Sequence, residues 1–148
     1  MTRSELEGKL SVLLGGRAAE ALVFQHTSTG AADDLSRATD IARDMATRFA
    51  MVPALGPVTY EAETAGFLGP QPMQRREYSE QTAREIDLAV REIVSQAAVR
   101  AEAMLRARRQ TLERAARQLL ERETLVDADL KVLFEAAGVE ASRTPRAA

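Results

Sequence analysis

A single apolar stripe organises the segment Thr27–Phe49 and decides which of its side chains can be buried. Ser28, Thr29 and Gly30 precede the stripe and offer a turn and a choice of N-cap residue. Apolar residues then recur at steps of four and three: Ala31, Leu35, Ala38, Ala42, Met45 and Phe49. This spacing predicts one amphipathic helix over residues 30–50.

Two adjacent acidic residues in the first turn of this helix have different predicted orientations. At about 100° per residue, Asp33 lies roughly 160° from the centre of the stripe and Asp34 only roughly 60° from it. Asp33 is therefore predicted to be solvated, and Asp34 to lie at the edge of the buried face. A carboxylate near a core needs a partner, because burying an unpaired charge costs several kcal/mol. A metal ion, an arginine or backbone N–H groups could each supply it, so a capping or ion-paired acid stays open beside a metal ligand.

The first predicted helix begins at a capping box and runs to about Phe24. Thr2 and Glu5 have the three-residue spacing of reciprocal capping. The pair Gly15–Gly16 interrupts the helix and costs roughly 1 kcal/mol per glycine relative to alanine. We expect the pair to be tolerated because another backbone packs closely against it. His26, the only histidine, follows in a short connection, where we expect local or water hydrogen bonds rather than a metal.

The rest of the chain is also predicted to be mainly helical. Val58–Leu68 is the one segment with an extended pattern. A long helix starts at Ser79, and its predicted buried side consists of Ala83, Ile86, Val90, Ile93, Ala97, Ala101 and Met104. The predicted inner side of the next helix, over residues 111–120, consists of Leu112, Ala115, Ala116, Leu119 and Leu120. A last short helix is predicted to be capped by Asp127 and stopped by Gly138. The fold class is therefore mainly α, with long packed helices and at most one small hairpin or extended segment.

Charge and composition narrow the classes of partner and site that this chain is expected to have. The net charge is −2, which does not call for nucleic acid or an anionic membrane as partner. The segment from Arg100 to Arg122 contains seven arginines and three glutamates. We expect a solvated or intersubunit helix face there, and nucleic-acid binding is the alternative. There is no cysteine, hence no disulfide or thiolate metal site, and no apolar run approaches the length of a membrane span.

Four segments, taken in order, resemble the peptidase domain of the FtsH family of membrane-bound, ATP-dependent zinc metalloproteases. They are LGGRAAEALVF from Leu14, STGAADDLSRATDIAR from Ser28, LGPVTYE from Leu55 and FLG from Phe67. The resemblance covers roughly residues 1–137 and implies a helical peptidase domain there. Residues 138–148 are mostly small and polar, and we expect them to form a flexible tail. In that family, two histidines of an HExxH helix and the aspartate that ends the STGA-x-(N/D)-D run hold the zinc. That aspartate corresponds to Asp34.

The resemblance also says what this sequence lacks. It contains no HExxH, so it matches the part of the peptidase domain after the catalytic helix. The resemblance implies one zinc ligand of three, no catalytic residue in the chain, and ATP bound only through a different domain. We therefore expect the chain to be inactive by itself, because a zinc hydrolase needs a complete site and a general base.

The family's context supplies the remaining expectations. Partners would be protein substrates and further copies in a hexameric ring, with no nucleic acid. A membrane would be reached only through segments outside this chain, placing the chain in the cytoplasm and its parent at the cytoplasmic face of the bacterial inner membrane. The alternative is a non-catalytic helical assembly module, or a remnant gene product, with the same fold.

Overall fold

The computed structural model describes residues 1–25, 29–61 and 78–138, and the predicted mainly α fold is confirmed. The described residues contain no strand and form six α-helices: α1 Arg3–Leu13, α2 Gly15–Phe24, α3 Ala32–Thr47, α4 Glu80–Ala107, α5 Arg109–Arg122 and α6 Asp127–Ala136. Two 3₁₀ turns cover Thr29–Ala31 and Pro53–Leu55. The chain divides into two compact units, and the division falls within α4: Met1–Glu102 and Ala103–Ala148. Of the predicted extended segment, residues 58–61 are not a strand and the remainder lies outside the described residues.

The predicted capping box at the start of α1 is confirmed. The Thr2 backbone N–H donates to Glu5 Oε2 at 2.6 Å, and the Glu5 backbone N–H donates to Thr2 Oγ1 at 3.3 Å. The pair satisfies two of the N–H groups that the first turn of a helix leaves without an internal partner.

The prediction of one continuous helix to Phe24 is wrong, because the helix is interrupted at Leu14. Leu14 has a ψ of −6° and separates α1 from α2. Within the described residues, a Cβ on Gly15 or Gly16 would meet no atom within 4 Å, so the expected close backbone is not present there. The glycines instead coincide with the interruption, where the low helix propensity of glycine is least costly.

The core of the first unit forms around α3 in two clusters. The first cluster joins α1, α3 and α4, with buried residues Leu6, Leu10, Leu14, Ala38, Met45 and Ala97. The second cluster joins α3, the 3₁₀ turn after it and α4, with buried residues Ala42, Ala46, Leu55, Ile86 and Val90. Helix α3 is thus covered along most of the stripe that its sequence predicts. It ends at Thr47 rather than at residue 50, and Phe49, the last residue of the predicted stripe, is 44% exposed.

The predictions for α4 are largely confirmed within the first unit. The Thr82 backbone N–H donates to Ser79 Oγ at 3.2 Å, so Ser79 caps the helix as its sequence indicates. Buried residues on this helix are Ile86, Val90, Ala97 and Ala101. Met104, the last residue of the predicted stripe, is 48% exposed, because the stripe continues beyond the residues that cover it.

In the second unit, α5 and α6 pack against each other with little burial. Leu133 of α6 is buried, but α5 buries no residue completely. The predicted inner positions of Ala116, Leu119 and Leu120 are wrong, since all three residues are exposed, Leu120 by 84%. The prediction that Asp127 caps α6 is also wrong. Val126 is the N-cap residue, and the Val126 backbone N–H donates to the carboxylate of Asp129 at 3.2 Å.

The burial of Leu10 predicts a large loss of stability on truncation. Leu10 is fully buried, so Leu10→Ala should lower the free energy of unfolding by about 2–5 kcal/mol through lost contacts and a residual cavity. Leu88 on α4 is half exposed, and Leu88→Ala should cost about 1 kcal/mol or less. Urea unfolding followed by circular dichroism measures both, and equal losses would contradict this account of the core.

The capping box predicts a pH dependence. Hydrogen bonds from the Thr2 backbone N–H and then from its side chain lower the pKa of Glu5 below the ordinary value of 4.5. Because the folded pKa is the lower one, this stabilisation is complete above the unfolded pKa and is lost as pH falls through the folded pKa. The free energy of unfolding of the native chain should therefore exceed that of Glu5→Gln near neutral pH. The two values should converge in acid, where Glu5 is protonated. A difference that stays constant down to acid pH would contradict this origin.

Candidate metal centre

The first turn of α3 contains the two acids Asp33 and Asp34, as the sequence predicts. A 3₁₀ turn over Thr29–Ala31 leads directly into α3, and Ala31 is the N-cap residue. Alanine has no side-chain acceptor, so the predicted capping by Thr29 or Gly30 is wrong. Ser28, the third candidate, lies outside the described residues.

The two acids differ in burial as their angular positions predict. Asp33 is exposed, whereas Asp34, the next residue, is half-buried. Neither carboxylate takes part in a hydrogen bond or an ion pair with another residue in the part of the chain that the structure describes. Among these residues, therefore, neither an arginine nor a backbone N–H group is a partner of the Asp34 carboxylate.

The opposite end of α3 is held by a polar cluster. The Thr47 hydroxyl, fully buried, donates to the Arg43 carbonyl at 2.8 Å and lies 3.3 Å from Glu61 Oε2. The Tyr78 hydroxyl donates to Glu61 Oε1 at 3.1 Å. The Tyr60 backbone N–H donates to the Thr47 carbonyl at 2.7 Å, and the rings of Tyr60 and Tyr78 meet edge to face at 5.8 Å. These contacts fix the end of α3 relative to the residues that lead into α4.

Asp34 belongs to no metal-binding cluster among the described residues. No group of three or more histidine, cysteine, aspartate or glutamate side chains there is arranged to hold a metal ion. His26, the only histidine of the chain, lies outside the described residues, and so do Thr27 and Ser28. The donor type and accessibility of Asp34 fit a zinc ligand, but one carboxylate does not make a site with the three protein ligands that catalytic zinc requires.

The arginines between residues 100 and 122 are partly engaged in ion pairs. Arg100 contacts Glu7 at 3.4 Å, Arg109 contacts Glu113 at 2.9 Å, and Arg122 contacts Asp129 at 2.7 Å, all within single units. These pairs reduce the charge available for a phosphate backbone and agree with a structural helix face.

Among the described residues, no helix has the length and apolarity that crossing a bilayer requires.

The sequence of this chain is similar to the sequences of one class of peptidases. Residues 1–133 match the model of peptidase family M41. The chain is 51% identical over 130 residues to an ATP-dependent zinc metalloprotease FtsH of Pseudomonas putida, a match covering 86% of this chain and 21% of that protein. It is 50% identical over 141 residues to the protein of the same name in Paraburkholderia phymatum, covering 93% of this chain and 22% of that protein. A third protein of this name, from Methylibium petroleiphilum, is 47% identical over 148 residues. That match covers 98% of this chain and 24% of that protein.

The chain therefore belongs to peptidase family M41. It spans about a fifth of the length of these curated relatives.

Proposed function

We propose that this chain is the part of a zinc metallopeptidase unit that follows the catalytic HExxH helix, and that Asp34 supplies one of three zinc ligands. The observation that carries the proposal is the placement of Asp34. It is a half-buried carboxylate in the first turn of α3 without a hydrogen-bond or ion-pair partner among the described residues. The membership of family M41, whose relatives are named zinc metalloproteases, supports the same assignment.

The remaining zinc ligands would come from outside this chain. The sequence contains one histidine and no HExxH, so neither the paired histidines nor the glutamate general base of that motif is present. Zinc, when bound, acidifies a water molecule for attack on a peptide bond. The contribution of this chain is to hold the Asp34 carboxylate at a fixed place, through a helix buried by α1 and α4. Alone, the chain would be inactive.

The whole protein would degrade protein substrates in an ATP-dependent manner, with ATP bound by a domain outside this chain. The relatives are named ATP-dependent zinc metalloproteases, which supports this coupling. Helices of this chain would then wall the peptidase chamber and contribute to a ring of six copies at the cytoplasmic face of the bacterial inner membrane.

Substitution of the two neighbouring acids tests the assignment. In the intact protease that contains this chain, Asp34→Asn should lower zinc content and casein hydrolysis together, because a neutral amide is a poor zinc ligand. We expect a loss of roughly tenfold or more, since even residues that only support a ligand contribute that much. Zinc content is measured by atomic emission and hydrolysis by peptide release.

The neighbouring acid is the matched control. Asp33→Asn removes the same charge one residue away, from an exposed side chain, and should change neither quantity. Equal effects from both substitutions would exclude Asp34 as the ligand and point to a general effect on the start of the helix.

A non-catalytic assembly module is the second candidate, and the single histidine of the chain favours it. The two candidates differ in what precedes this segment in the gene. An in-frame HExxH and a nucleotide-binding domain support the protease, and a stop codon immediately upstream supports the module.

A further inference from the structure

An open apolar groove lies between α1 and α3 in the first unit and begins one turn after Asp34. Its volume is about 590 Å³. Three residues of α1 and three of α3 line it: Lys9, Val12, Leu13, Arg37, Asp40 and Ile41. Val12 is 79% exposed, and Leu13 and Ile41 are only partly buried although both pack against the first core cluster. The groove therefore leaves apolar side chains for a further element to cover.

The groove lies on the face of α3 to which Asp34 belongs. Asp34, Arg37 and Ile41 are spaced at i, i+3 and i+7, so they share one side of the helix. Ile41 lies about 10 Å from Asp34 along the helix axis, since each of the seven steps adds roughly 1.5 Å. Whatever fills the groove thus lies within two helical turns of the proposed zinc ligand.

The shape of this surface suits a helix. An amphipathic helix packs into an apolar groove with the side chains of one face, spaced at three and four residues. Gly15 and Gly16 come directly after Leu14, at the end of the helix whose last turn lines the groove. In the described ranges, a Cβ at either glycine would meet no atom within 4 Å, so a neighbouring backbone has room to approach there.

We infer that the HExxH helix of the intact protease lies in this groove, and that Val12, Leu13 and Ile41 are positioning residues of the zinc site. The inference rests on the proposed function, in which two histidines of that helix join Asp34 around one zinc ion. These histidines are four residues apart and share one face of their helix. That face reaches Asp34 when the helix lies against the first turns of α3, where the groove offers apolar side chains to hold it.

The groove residues act through the helix that they hold. A helix packed on Val12 and Ile41 keeps its histidines at a fixed distance from Asp34, and tight zinc binding requires ligands that are held in place. The helix would belong to the same polypeptide, so its contact needs less area than an interface between separate molecules does. The contact lies within one copy and is therefore compatible with a ring of copies.

Substitution of the exposed valine in the intact protease tests the role of the groove. Val12→Lys should raise the dissociation constant for zinc about tenfold or more, because a charged side chain in the groove displaces the helix that carries two ligands. Val12→Ile keeps the apolar contact and should bind zinc as the native protease does. Val99→Lys is the matched control, since Val99 is another exposed valine of the first unit, 67% exposed on α4, and should leave the constant unchanged. Competition with a chromogenic chelator measures the constant.

A stability measurement separates positioning from a general loss of the fold. In the chain alone Val12 is exposed, so Val12→Lys should leave its free energy of unfolding unchanged. A marked loss of stability in the chain alone would indicate a structural role and overturn the proposal. If Asp34→Asn lowers the zinc content of the intact protease and Val12→Lys does not, the proposed ligand stands and the groove assignment is wrong.

Cross-linking identifies the occupant of the groove without reference to zinc. Lys9 is exposed at the edge of the groove, and this chain contains no cysteine. In an intact protease without other cysteines, Lys9→Cys gives one attachment point for benzophenone maleimide. Irradiation should join residue 9 to the peptide that contains HExxH, which mass spectrometry of the digest identifies. The same reagent at Val99→Cys should not capture that peptide.

The captured peptide decides between the possible occupants. Capture of a different segment from residue 9, whether from another domain or from the surface of another copy, would overturn the proposal, and so would the absence of any captured peptide. Capture of the HExxH peptide in a protease whose zinc content is unaffected by Asp34→Asn would uphold the groove assignment and refute the ligand role of Asp34. Failure of the inference and failure of the proposed function therefore give different results.

Discussion

The packing of three alanines on α3 is the interaction on which the first unit depends. Ala38, Ala42 and Ala46 are fully inaccessible to solvent, and they belong to the two clusters that join α3 to α1 and to α4. Side chains of this size allow neighbouring helices to approach closely, and any larger residue would have to displace a packed helix. The buried stripe therefore fixes the rotation of α3 about its axis. That rotation in turn leaves Asp34 at the edge of the core and Asp33 in solvent.

The periodicity of the sequence predicts these faces because it depends on local geometry alone. The stripes of α3 and α4 and the capping box at Thr2 could all be predicted, because each depends on residues that are close together in the sequence. The interruption at Leu14 could not, because glycine permits several outcomes and the neighbours decide between them. The exposed Leu120 shows the same limit: an apolar stripe indicates which side can be buried, but not whether another element covers it.

The candidate site was predictable in one respect. Angular position alone distinguishes Asp34 from Asp33, and the structure agrees on their burial. The proposed ligand role of Asp34 instead comes from the family motif, because a metal site is assembled from residues remote in sequence and no local pattern contains it. The groove beside Arg37 was not predicted, since a groove is the space between two helices and depends on how α1 crosses α3.

The central claim is that the chain carries one part of a zinc site rather than a complete one. Calorimetric titration of the chain with zinc, with casein hydrolysis followed in the same samples, tests it most directly. The account predicts no tight binding and no hydrolysis, because one carboxylate offers neither the ligand set nor the general base. Tight binding accompanied by turnover would contradict it and would require a second set of ligands in this chain, with His26 the first to be substituted.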